Sequence, residues 1–578
     1  MRTHRQVLAE SKAAHNHPTY SKMAFVMGCG VQGRGSGSSV LDENGRSFLA
    51  LFDQYGNQSF GYSNERLVAA LRDQLDLGVL NSTKIMFEEV QIRLTERLSE
   101  LTGGRLPFAY LANGGGETID NALKLARATT GRPKFVSARG CFHGKTFATL
   151  SASARPEHEA LFGPFLERFE LVDFGDFGQL AAAVDGETAA VLLEPVQAEA
   201  GVIVPPPGYL REARRLCDEN GALLILDEMQ TAFGRCGAFF AHQRFGVVPD
   251  IVCIGKAFGG GMLPISAVLG TEAVWETLRA LPSTFGSSLG GNPLSCRIGL
   301  ESIAIATEEE FLTGVGEKAR VIEDRLARIV ERFPELVAAH RGLGMMHGLE
   351  FHDDSIAGLV LGGLLAAGVT STYSLYNTRV LRIQPPMVIS EADLERGLET
   401  LEVVLAEAAA HRGRRDRPQA VTSPLTLRVR SAHPARQVLD LLHDRPYLLD
   451  PFAADPEADA TTSAEAEAEF RGTLGDDHVV WADRARRLED GVALRADPCW
   501  LWASLERSVR VRQPDEDDGC ELEIRIEWDT GSGGYESMIG GRIGFFVTRR
   551  LTDLVTSLER TLEKEGRNEA SRTRRPLP

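Results

Sequence analysis

A mixed α/β fold on a mainly parallel sheet is predicted for residues of about 40 to 410 by two patterns. Short apolar runs such as AAVLLEP (189–195) and GALLILDE (221–228) have the length and content of buried strands, and amphipathic stretches such as GYLREARRLCDEN (208–220) separate them. Strands alternating with helices imply crossovers that cover both faces of a parallel sheet. A third observation limits this fold to part of the chain. The stretch AAHRGRRDRPQAVTSP (409–424) is polar, charged and closed by prolines, so it reads as an interdomain linker.

Composition narrows the function classes. A chain of 578 residues exceeds one ordinary core, so two to four units are expected. Its net charge of -17 argues against a nucleic-acid partner, whose phosphates call for a basic surface. Eight cysteines contain no CxxC pair, so neither a disulfide framework nor a cysteine zinc site is expected, and no metal is assigned. With no apolar signal core and no apolar run of about 18 to 20 residues, no membrane association is expected and a cytoplasmic location is.

The elements follow in chain order. Gly28, Gly30 and Gly33 match GxGxxG, but RGSGSS and a hairpin-like VLDENGRSF follow instead of a helix, so the match is a decoy. In LANGGGETIDNALKLARATTGR an apolar run reaches Asn113, three glycines follow, and Glu117 opens a helix with Ile119, Ala122, Leu123 and Ala126 inward. The amides of Gly115, Gly116 and Glu117 there suit an anion, although glycine turns also start helices for steric reasons. ARGCFHGKTFATLSAS places Phe142 and His143 before a glycine, where a flat aromatic either stacks on a ring or fills core. GALLILDEMQTAFGRCG ends an apolar strand on Asp227, a carboxylate that needs a cation or several donors, or else caps the next segment.

DIVCIGKAFGGGMLP sets Lys256 just past the strand Ile251 to Ile254. An ammonium group at a sheet rim costs several kcal/mol unless it is paired, snorkels outward, or loses its proton. The chain holds nine lysines, and Lys256 alone falls between Lys145 and Lys318. An amine for a Schiff base, an anion-binding helix start, a carboxylate for a pyridinium nitrogen and an aromatic to cover a ring are together what pyridoxal phosphate requires.

On these blocks, together with EPVQAEAG (194–201), GGNPLSC (290–296) and RGLGMMHGLE (341–350), residues of about 25 to 410 resemble a class III aminotransferase of fold type I. The resemblance implies a mainly parallel central sheet and a small α+β domain, with the aminotransferase over 1–412. The large, cofactor-binding part would be about 60–305, and the small domain the N-terminal segment with about 306–410. It also implies pyridoxal 5'-phosphate as cofactor. Lys256 would carry the cofactor and move the substrate proton, Asp227 would pair with the ring nitrogen, and Phe142 and His143 would flank the ring. Gln230 would reach the ring oxygen, Glu194 would border the site, and Gly115 and Gly116 would hold the phosphate. A hydroxyl from the partner subunit, Ser288 or alternatively Thr284, would touch that phosphate, so a homodimer with shared active sites is implied.

Substrate residues follow from the same likeness. Glu199 and Arg382 match a gate pair in which the arginine binds the carboxylate of glutamate or 2-oxoglutarate and the glutamate masks it when an ω-amine enters. A structural ion pair is the plain alternative. Tyr55 falls at a pocket position. Lys145 stands where amino-acid-specific members carry arginine, which favours an amine or aldehyde as second substrate over an ornithine-like or acetylornithine-like amino acid. A non-catalytic carrier on a degenerate scaffold is the remaining alternative.

Beyond a linker at 413–422, an opening strand LTLRVRSA, a helix from Pro434, the strands WLWASLERSVRVR and CELEIRIEW, and a last helix over about 544 to 565 give an α+β order. Residues 423–565 are similar in character to the START-like, polyketide cyclase-related helix-grip domains. The likeness implies an apolar ligand, with Trp500, Trp502 and Trp528 as lining or plain core. Residues 566–578 read as a disordered tail.

Overall fold

The computed structural model describes residues 4–16, 30–280 and 285–413, and beyond them five strands between 425 and 529. After a helix over His4–His15 come three short strands: β1 (Gln32–Ser36), β2 (Ser39–Asp42) and β3 (Ser47–Ala50). The last two form the hairpin expected at VLDENGRSF. Gly33 lies inside β1, so no strand–turn–helix unit accompanies the GxGxxG match.

The central sheet contains β4 (Phe108–Ala112), β5 (Lys134–Ala138), β6 (Phe169–Val172), β7 (Thr188–Leu193), β8 (Leu223–Asp227), β9 (Ile251–Ile254) and β10 (Ser266–Gly270). Their order is β4-β10-β9-β8-β7-β5-β6. From β9 to β6 all neighbours are parallel, and β10 runs antiparallel to β4 and β9.

Every residue of β7 is buried because both faces are covered. Val191 and Leu193 point to one face, where Tyr209, Leu210 and Ala213 of the helix Tyr209–Asn220 pack. Ala190 and Leu192 point to the other, against Ile119, Ala122 and Leu123 of the helix Gly115–Thr130. A period of two in the strand thus meets a period of three to four in each helix.

After the long helix Glu309–Arg332 come β11 (Val337–Leu343), β12 (Met346–Phe351), β13 (Val369–Thr370), β14 (Thr372–Ser374) and β15 (Asn377–Ile383), then the helix Glu391–Gly413. Four of these strands form an antiparallel sheet in the order β11-β12-β15-β14, while β13 pairs with β3 and ties the N-terminal strands to this part.

The last strands are β16 (Leu425–Ser431), β17 (Ala485–Leu488), β18 (Gly491–Ala496), β19 (Ser504–Arg512) and β20 (Cys520–Asp529). They make one antiparallel sheet in the order β16-β20-β19-β18-β17. The hairpin β17–β18 is an addition to the expected strands. Its ARRLEDGVALRA has adjacent arginines and little alternation to announce it. The two helices expected in this region, with Trp500 and Trp502, lie outside the described residues.

Candidate active site

The carboxyl ends of β4, β5, β7, β8 and β9 converge, which is where ligands lie in open α/β sheets. A cavity of about 360 Å³ opens there, lined among others by Asn113 to Gly116, Phe142, His143, Asp227, Met229 and Lys256.

Lys256 follows β9 in a single 3-10 turn, Lys256–Gly259, with φ of 51°, a left-handed conformation that side-chain-bearing residues seldom adopt. Gly255 precedes it because a Cβ there would lie 2.6 Å from Met229 Sδ. Burial lowers the lysine pKa and outweighs the carboxylates of Glu199 and Asp227, which pull it up. Loss of its proton therefore becomes easier than for a lysine in water.

Asp227 closes β8 and is fixed from two sides. His143 Nδ1 lies 2.8 Å from its Oδ2, and the Met229 amide donates to its Oδ1 at 3.0 Å. Burial disfavours a charged His143, yet the Cys141 thiol and Asp227 raise its pKa well above the ordinary value. His143 Nε2 is buried with no hydrogen-bond partner among the described residues. Behind them Glu194 accepts from the Phe142 amide at 3.1 Å. Burial raises its pKa to about 8, with His143 opposing.

The helix Gly115–Thr130 starts at the cavity with Gly114 as a cap that has no side chain to satisfy the first amides. A Cβ on Gly116 would meet Thr146 Cγ2 at 2.9 Å, so glycine is needed for the close approach. Asn113 Nδ2 donates to Ser287 Oγ at 2.8 Å, bringing the loop before GGNP against the turn.

On the other side of Lys256, Arg382 from β15 donates through Nη1 to Glu199 Oε1 at 2.6 Å. Its Nη2 donates to Gln230 Oε1 at 2.8 Å and to Gln384 Oε1. Gln230 Nε2 in turn donates to Glu199 Oε1 at 3.0 Å, and the Leu375 amide to Oε2 at 3.1 Å. Burial would raise the pKa of Glu199, but Arg382 and these donors bring it below the usual value. Gln384 continues the network to Asp53 at 3.0 Å, which holds the fully buried Arg235 at 2.5 Å.

The residues brought together at or beside the cavity are Gly115, Gly116, Phe142, His143, Glu194, Glu199, Asp227, Gln230, Lys256 and Arg382. Tyr55 sits next to the Glu199–Arg382 pair, its ring 5.7 Å from the Arg382 guanidinium. Lys145 and Ser288 are exposed in the single chain, and Thr284 lies outside the described residues. Sequence reasoning missed Asp53, Arg235, Gln384 and Ser287. It also missed Tyr376, whose ring lies 6.0 Å from Phe142 and which carries the Arg155 guanidinium at 3.7 Å. An arginine enclosed by FG and CG was the one signal available for this set.

The aminotransferase class-III family matches residues 23–405. A putrescine aminotransferase of Pectobacterium atrosepticum is 37% identical over 390 residues, which is 65% of this chain and 82% of that protein. An ornithine aminotransferase of Toxoplasma gondii, solved with partial occupancy of PLP, superposes with a TM-score of 0.63 at 30% identity, covering 66% of this chain and 92% of its own. An N-acetylornithine aminotransferase of Stenotrophomonas maltophilia gives 0.57 at 31% identity, covering 66% and 97%.

Proposed function

The chain belongs to the class-III aminotransferases and is a pyridoxal-phosphate-dependent transaminase; on that premise we propose that it exchanges an amino group between an ω-amine or its aldehyde and the pair glutamate/2-oxoglutarate. The residues fit the cofactor. Uncapped amides at Gly115 and Gly116 suit its phosphate, and the carboxylate of Asp227, fixed by His143 and the Met229 amide at the cavity wall, suits its ring nitrogen. Bound there, the cofactor supplies an electron sink for the carbon that gains or loses the amine.

The protein's part is positioning and proton transfer. Lys256 would hold the cofactor through its amine, and its lowered pKa suits it to take and return the substrate proton. Phe142, anchored by its amide on Glu194, would cover the ring. The closed Glu199–Arg382 pair carries the choice of substrate. An amine without a carboxylate leaves the pair intact, whereas glutamate offers a carboxylate that can replace Glu199 on the guanidinium. Lys145 is exposed, so among the described residues it adds no second fixed cation to the cavity, which favours an amine over an amino acid.

Arg382→Met tests this. The KM for glutamate should rise about 100-fold while that for a diamine such as putrescine stays within about threefold. Equal losses on both substrates would sink the clamp.

The dimer belongs to the same reading. Ile85, Met86 and Phe87 are strongly exposed beside Lys84, whose amine donates to Gly290 O at 2.7 Å, so an apolar patch adjoins the GGNP turn. A solution mass of one chain by light scattering would reject it. The free, buried Cys141, Cys217, Cys236, Cys253 and Cys296 fit a reducing, cytoplasmic setting, and no described helix is long and apolar enough to cross a membrane. The antiparallel sheet β16 to β20 supports a helix-grip-like unit that binds an apolar intermediate, in a specialised biosynthesis. Unchanged amine turnover after removal of residues beyond about 420 would argue against that role.

A further inference from the structure

Glu323, His340 and His347 lie on the face where the helix Glu309–Arg332 packs on the hairpin β11–β12, away from the cofactor cavity. In that hairpin His340 stands opposite Leu349, and Gly342 opposite His347. The two histidines therefore share a face as diagonal neighbours, within reach of long side chains. Gly342 is required beneath them, since a Cβ there would lie 2.2 Å from His347 Nδ1.

The proton on His347 is fixed by geometry. Its Nε2 lies 2.8 Å from Gly344 O, and a carbonyl oxygen can only accept, so Nε2 carries the hydrogen and Nδ1 the lone pair. The Nδ1 is buried in a residue only 2% exposed and has no hydrogen-bond partner among the described residues. It faces Glu323 Oε2 at 3.4 Å. Lone pair thus meets carboxylate, an arrangement that repels unless a cation sits between them. His340 Nδ1 is likewise buried and unpartnered, 4.0 Å from Glu323 Oε1.

We propose that Glu323, His340 and His347 form a zinc-class metal site with one coordination position left to water. The three ligand atoms lie within 4.8 Å of one another. Bonds of about 2.0–2.1 Å in a tetrahedron put ligand atoms roughly 3.3 Å apart, so the widest pair must close by about 1.5 Å. The half-exposed Glu323 side chain can bring its carboxylate in on both rings by a rotamer change, from 3.4 Å and 4.0 Å, and any remaining closure falls to the two rings. A backbone carbonyl holding the far nitrogen of a ligand histidine is the support such sites use to orient the ring. Because β12 also pairs with β15, with His347 opposite Ile383 and Gly348 opposite Arg382, a bound ion would brace the strand that carries the gate arginine.

The test is to strip untagged holoenzyme with a chelator and titrate it with zinc by calorimetry, with cofactor absorbance as the check on folding. One zinc per chain is expected, and a thermal midpoint that rises with zinc. Glu323→Gln should weaken binding at least about tenfold, and His347→Gln should abolish it, with cofactor absorbance kept in the first. Cobalt at the site should show visible d–d bands without thiolate charge transfer. Failure of the wild type to take up zinc, equal affinity in Glu323→Gln, or a thiolate band would each overturn the site.

Discussion

Glu194 and Glu199 leave the same buried stretch after β7 and end in opposite states. Burial is nearly complete for both, yet the pKa of Glu194 rises to about 8 while that of Glu199 falls below the ordinary value. A buried cation and additional donors make the difference. Glu199 meets a guanidinium at 2.6 Å and the Gln230 amide at 3.0 Å, whereas Glu194 has only the Phe142 amide and the more distant His143. Desolvation decides a carboxylate's charge where no cation touches it, and one buried arginine reverses the outcome. Near Lys256 the surroundings thus favour the protonated form of one glutamate and the ionised form of the other.

The largest break in this comparison comes from removing the amine that both glutamates face. Lys256→Ala should lower amine turnover by at least about 10³-fold and abolish the protein's normal cofactor absorbance. An unchanged spectrum would displace Lys256 from its role.

Arg382→Met comes next, since it should turn Glu199 into a second Glu194. An unpaired buried charge costs about 3–5 kcal/mol at neutral pH, to be read from urea unfolding. The pH dependence should also invert. In the wild type the depressed pKa of Glu199 stabilises above its unfolded value, and that stability is lost as pH falls through the folded one. In the variant the folded pKa is raised, so stability should fall as pH climbs from the unfolded value toward the folded one.

The smallest effect sharpens the contrast. Folded Glu194 keeps its proton up to about pH 8, while the unfolded chain loses it near its ordinary value, so the wild type should lose stability between these limits as pH rises. Glu194→Gln should flatten that slope, by a few kcal/mol at most, and leave turnover near pH 7 within about threefold. Thermal midpoints from pH 5 to 9 report it, and a variant curve parallel to the wild type would contradict the protonated state.

Residues that depend on a strand end were legible in the sequence. Asp227 and Lys256 each follow a run of buried apolar residues, and the continuous apolar run of β7 foretold a strand covered on both faces. Glu199 and Arg382 were found by resemblance, because neither sits in a pattern that local physics singles out. Asp53, Gln384 and Arg235 were not found: they meet across hundreds of residues, and their burial is tolerable only through one another. Ser287 was missed for a different reason. In an irregular loop no periodicity tells which of two adjacent serines faces inward, and Ser287 reaches Asn113 while Ser288 points to solvent.

One arrangement around the gate bears on speed. Ser374 Oγ donates to Ala198 O at 3.2 Å, and the Tyr376 amide to Glu199 O at 3.0 Å, so the loop carrying Glu199 is fastened to the second sheet by contacts independent of its carboxylate. Under the proposed exchange the guanidinium would change partners while both sheets stay docked. The proposed exchange would then need only side-chain rearrangement within the site, where a parting of domains takes microseconds to milliseconds. On that proposal, alternation between the two half-reactions would need no large mechanical cycle.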